Sequence, residues 1–155
     1  MHDGCDAEVR RLHRFLEGWL TGALPRSTEI FDRDYARVFA PSLVVVDPGG
    51  VIYRRAGILE WTRAAHGIHA DPVKAFAIWI DDVRMHHHQG DLCLVMYEEW
   101  QPLEGARCCR LVTALFTRSE DTPHGVAWLH AHETWLAGEQ GASMPDTQPP
   151  PQATP

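Results

Sequence analysis

The sequence predicts an α+β fold: three N-terminal helices covering a strongly curved antiparallel or mixed sheet of about six strands, a cone-shaped barrel. Two patterns lead there. Apolar residues recur at helical spacing in the first part of the chain, and strand-length runs separated by short turns fill the part from residue 73 onward. Helices followed by strands, rather than alternating with them, place the helices on one face of a single sheet.

Val9, Leu12, Phe15, Leu16, Trp19 and Leu20 form one stripe, so the first helix is expected over residues 5–22, and Pro25 breaks it. Ser27 can cap a second helix with Glu29 in its first turn and Ile30, Phe31, Tyr35, Val38 and Phe39 on its inner side; Pro41 ends it. "SLVVVD" reads as a strand, "PGG" as a turn and "VIYRR" as its return. "GILEWTRAAHG" fits a third helix around Ile58, Leu59, Trp61 and Ala65. Then "VKAFAIWIDDVRMHH", "LCLVMYEEW", "RCCRLVTALFTR" and "VAWLHAHETWL" run as four strands, the first two joined by "HQGD". The domain is expected over residues 1–137. Residues 138–155, with five Pro in the last 11, read as a disordered tail.

A net charge of −7 argues against nucleic acid and anionic membrane as partners, because both need clustered Lys and Arg. No apolar run reaches the length that spans a bilayer. The opening "MHDGCDAEVRR" lacks the apolar centre of a signal peptide, so a cytoplasmic protein is expected. Lys74 is the one lysine among 14 basic residues, an Arg skew that points to a GC-rich, bacterial coding sequence. Cys5, Cys93, Cys108 and Cys109 have no framework spacing and read as reduced core thiols.

The element order, "FAPSLVVVDPGG…RRAGILEW" and the closing "WLHAHETW" together resemble the nuclear transport factor 2-like superfamily. That superfamily includes the SnoaL-like polyketide cyclases, ketosteroid isomerase and the kinase-association branch. The resemblance covers roughly residues 5–137 and implies an apolar cavity between helices and sheet. It places Asp47 where ketosteroid isomerase carries its general base, whereas the residues alone read Asp47 as a strand-end Asp that hydrogen-bonds its own Pro-Gly turn. The isomerase's two oxyanion donors fall on Phe15 and Ala114, and neither can donate a hydrogen bond.

With Asp47 facing in, alternation brings Tyr97, Arg110 and Glu133 to the same interior, beside Val95, Val112, Ala114, Phe116 and Ala131. Trp19 and Trp61 sit on helix faces above it and read as core or as stacking platforms for a planar ligand. The resemblance implies cofactor-free acid–base chemistry on a small hydrophobic carbonyl compound: isomerisation, dehydration or cyclisation. In it Asp47 is the base, Tyr97 a donor, Arg110 a clamp and Glu133 a second acid. The alternative is a ligand-binding or oligomerisation domain, in which Arg110 fills the cavity and pairs with Glu133.

His130-Ala131-His132 sets two imidazoles on one strand face, but Glu133 faces the other way, so no metal is expected. Trp128, His130 and His132 are instead expected on the outer sheet face as a homodimer surface.

Overall fold

The computed structural model describes residues 1–71, 73–103 and 106–136; the expected tail lies outside them. Helix α1 runs His2–Leu20, α2 Thr28–Asp34 and α3 Arg55–Ala64, with a 3-10 turn at Ala36–Val38. The strands are β1 Phe39–Val46, β2 Ile52–Arg54, β3 Trp79–Gln89, β4 Leu92–Leu103, β5 Ala106–Arg118 and β6 Val126–Trp135. They form one sheet in the order β2-β1-β6-β5-β4-β3, all neighbours antiparallel except β1 and β6. The sheet is curled rather than closed, since β2 and β3 stand at opposite ends of the row and do not pair with each other. Among the described residues no helix is long and apolar enough to cross a membrane.

The apolar stripe of α1 lies against the concave face of this sheet and makes the core. Cys5, Val9, Leu12, Phe15 and Trp19 are all buried. Phe15 stacks between Trp19 and Tyr35, with ring centroids 5.6 and 5.4 Å away. Phe31 and Val38 are fully buried beside them, each worth about 2 kcal/mol of apolar transfer. Trp19 Nε1–H donates to the Thr62 carbonyl at 2.7 Å, which ties α1 to α3. Ser27 caps α2 as expected, its hydroxyl accepting from the Ile30 amide at 3.3 Å.

Three features differ from expectation. The second helix stops at Asp34, and Pro41 lies inside β1. Proline has no N–H for the ladder, and the β1–β6 register is irregular between Phe39 and Val44, around it. Strand β3 begins only at Trp79, because the preceding backbone is hydrogen-bonded elsewhere. The amides of Val73 and Ile78 donate to the carboxylates of Asp71 and Glu17.

The third difference is a β-bulge. Leu115 faces His130 and Phe116 faces Trp128 across the β5–β6 ladder, so Leu129 is an extra residue. It shifts the alternation by one position. Trp128 therefore turns inward, 2% exposed, with its ring 4.5 Å from Phe116. The expected outer face loses Trp128 and keeps His130 and His132, whose rings lie 6.5 Å apart.

The chain leaving α1 is held by the turn after α3. The amides of Gly67 and His69 donate to the carbonyls of Trp19 and Leu20, and Gly67 adopts a φ of 74° that favours glycine. This fixes residues 66–70 over one end of the helix–sheet interface.

Candidate functional site

Between α1, α3 and the concave sheet lies a cavity of about 180 Å³. Leu12, Leu16 and Leu20 of α1 and Ile58 and Trp61 of α3 form apolar walls. At its floor stand five polar side chains from four elements: His13, Glu99, Gln101, Arg110 and Glu133.

Strand register explains their meeting. Glu99 on β4 is the direct cross-strand partner of Arg110 on β5. Arg110 in turn faces Trp135 on β6, so Glu133 is its diagonal neighbour on the same face. Arg110 Nη1 donates to Glu133 Oε2 at 2.9 Å and lies 3.6 Å from Glu99 Oε1. Its guanidinium carbon sits 5.5 Å from the Trp135 ring centroid.

The fourth charged group comes from the helix. His13 places Nδ1 2.7 Å from the Val9 carbonyl and Nε2 3.2 Å from Glu99 Oε2. A carbonyl only accepts, so Nδ1 carries hydrogen; a second hydrogen on Nε2 then serves the carboxylate. Burial opposes the imidazolium, but Glu99 outweighs it and the His13 pKa is raised. Burial likewise pushes Glu99 up, yet Arg110 and His13 beside it hold its carboxyl at about 2. Glu133 goes the other way: burial raises it, with Arg110 pulling down and the Glu99 charge pushing up again. Tyr97, buried against the same carboxylates, has its phenol raised well above the ordinary range.

Of the residues expected at the site, Tyr97, Trp61, Arg110, Glu133 and Ala131 line this cavity. Phe15, Trp19, Val95, Val112, Ala114 and Phe116 are buried core and are not among its described walls. Asp47 stands apart. Its Oδ1 accepts from the amides of Gly49 and Val51 at 2.9 Å each, and Oδ2 accepts from the Tyr53 hydroxyl at 3.3 Å. It closes the β1–β2 turn, where Gly50 takes a φ of 83°. The carboxylate is absent from the described cavity lining.

Sequence reasoning missed His13 and gave Glu99 no role. The signal for His13 was present: it falls beside Val9 and Leu12 in the apolar stripe of α1, where an exposed histidine would not lie. The Arg110–Glu133 pair is the one named in the alternative weighed from the sequence, but Arg110 lines the cavity rather than filling it. Among the described residues no group of three or more His, Cys, Asp or Glu side chains is arranged to hold a metal ion.

Comparison with known proteins gives the fold and the family separately. A nuclear transport factor 2-like protein of unknown function from Pseudomonas aeruginosa superposes with a TM-score of 0.72 at 23% identity, over 86% of this chain and 98% of that one. A kinase II association domain from Exiguobacterium sibiricum follows at 0.55 and 13% identity, over 87% and 92%. The fold is therefore nuclear transport factor 2-like, as the sequence pattern indicated.

The sequence relatives point elsewhere for function. Sucrose-phosphatase 2 of Nicotiana tabacum is 31% identical over 133 residues, 84% of this chain but 30% of that protein. The chain spans about 30% of the length of the curated relatives it matches. The family model for the sucrose-6-phosphate phosphohydrolase C-terminal region matches residues 6–137. These matches overturn the expected isomerase, dehydratase or cyclase of a hydrophobic carbonyl compound, and the turn-bound Asp47 agrees with them. By that match, which covers most of its length, the chain belongs to the sucrose-6-phosphate phosphohydrolase C-terminal family.

Proposed function

We propose that this chain is the sugar-receiving domain of a sucrose-6-phosphate phosphohydrolase system, and that its cavity takes up one sugar ring. The phosphate-ester hydrolysis in the relatives' names then belongs to another polypeptide segment. The observation that supports this is the mixed chemistry of the cavity. A sugar ring has apolar C–H faces and a rim of hydroxyls. Trp61 and the leucines of α1 suit the faces; Glu99, Gln101, Arg110 and Glu133 supply planar acceptors and donors for vicinal hydroxyls. A purely hydrophobic ligand would leave that floor unmatched, at a cost in affinity for each polar group it desolvates.

The test is isothermal titration calorimetry of the chain with sucrose, glucose and fructose. Binding of at least one is expected, weakened about tenfold by Trp61→Ala through loss of stacking. Absence of heat with all three sugars, or a Trp61→Ala variant that binds as well as wild type, sinks the reading.

A further inference from the structure

The charges at the cavity floor are already paired with one another. Arg110 Nη1 lies 2.9 Å from Glu133 Oε2 and 3.6 Å from Glu99 Oε1, and His13 Nε2 lies 3.2 Å from Glu99 Oε2. Two carboxylates thus face one guanidinium and one imidazole. Among the described residues that line the cavity, Arg110 is the one Arg or Lys.

A phosphoryl group carries nearly two negative charges at neutral pH and is held by guanidinium forks, helix N-termini or backbone nests. Here it reaches Arg110 only by entering the space beside Glu99 and Glu133. The described lining residues Ile68, His69 and Phe76 add no second guanidinium or ammonium. They are apolar or aromatic, with His69 stacked on Phe76 at 4.1 Å between centroids. Partial burial moves the His69 imidazole away from its charged form. A hydroxyl meets none of these obstacles, because it donates to a carboxylate and accepts from Arg110 or Gln101.

Resting on the sugar-receiving reading above, we infer that the cavity selects the unphosphorylated sugar and rejects its phosphate ester. Like charge set against the wrong ligand is a common source of specificity. The domain then responds to what a phosphohydrolase releases, and its ligand is supplied by a dephosphorylation reaction.

Calorimetry of the full chain with sucrose and with sucrose 6-phosphate, at one ionic strength and pH 7.5, tests this. Sucrose is expected to bind at least about tenfold more tightly than the ester. Glu133→Gln, which removes one of the two opposing charges, is expected to narrow that ratio about threefold or more, whatever it does to sucrose affinity itself. Circular dichroism of the variant establishes that it is folded; if it is not, the same ratio is measured in Glu99→Gln. Equal or tighter binding of the ester overturns the inference while leaving a sugar site standing. An unchanged ratio in the folded variant overturns the charge argument. Failure of both ligands to bind overturns the sugar-receiving reading and this inference together.

Discussion

Two carboxylate environments in this chain look alike on paper and differ in kind. Asp47 at the end of β1 finds its partners within six residues, in two amides of its own turn and the Tyr53 hydroxyl. Glu99 and Glu133 find theirs across the fold, in a helix residue 86 positions away and a strand residue 23 positions away. The turn is self-sufficient, and its carboxylate is held by local donors away from the described cavity lining. The floor is buried and tied together by four elements, so disturbing one member exposes the others to the low-dielectric interior. A conspicuous local motif marked structure, and an inconspicuous alternation marked the site.

The comparison breaks most severely at Arg110. Arg110→Ala leaves Glu99 and Glu133 buried without their shared cation, and a loss of about 3 kcal/mol in urea unfolding is expected. Arg110→Ala/Glu133→Gln should recover part of it, since the second change removes one stranded charge. A single-variant loss below about 1 kcal/mol would show that water enters and screens the floor.

A smaller effect, with a pH signature, is expected at His13. Its pKa is raised from an ordinary 6.5, so its contribution is full below that value and is lost as pH rises through the folded pKa. Glu99 has the opposite sign: it contributes above its ordinary 4.5, and that contribution is lost as pH falls toward about 2. The stability gap between wild type and His13→Gln should therefore be widest between these limits, at roughly 1–2 kcal/mol. It should close at alkaline pH. A gap independent of pH from 5 to 9 would remove the imidazolium from the account.

Asp47 sharpens the contrast from the other side. Asp47→Ala is expected to cost about 1 kcal/mol by freeing two turn amides to solvent, and Asp47→Asn less, because its carbonyl still accepts. Neither should alter sugar binding by calorimetry; a change of tenfold or more would bring Asp47 into the site after all.

Much of the fold was legible because it rests on periodicity. The α1 stripe, the Ser27 cap and the "DPGG" turn are local signals, and each lies where the pattern puts it. Strand alternation also carried Tyr97, Arg110 and Glu133 to one cavity, because β4, β5 and the end of β6 keep register across the floor. What failed was whatever depends on a break in period or on a distant partner. Alternation alone turns Trp128 outward; only the extra residue at Leu129, invisible as a spacing, turns it in. His13 was overlooked because its reason for being buried, Glu99, lies on another element. The catalytic expectation failed differently. A fold hosts many activities, and the matched position of Asp47 carried none of the oxyanion chemistry that would have made it a base.

The bulge at Leu129 has a consequence for the shape of the interior. From Trp128 to His130, β6 spends two steps where its partner β5, from Phe116 to Leu115, spends one. Two ribbons fastened side by side with unequal lengths must arch, the shorter lying along the inside of the bend. Deleting Leu129 would leave every remaining side chain on its present face, since the strand on either side is already in phase with β5. It would equalise the two lengths between β5 and β6 and remove the local bend that the bulge adds to that pair. Leu129 is thus a place where the bend of the sheet can be changed without replacing any described residue that lines the cavity.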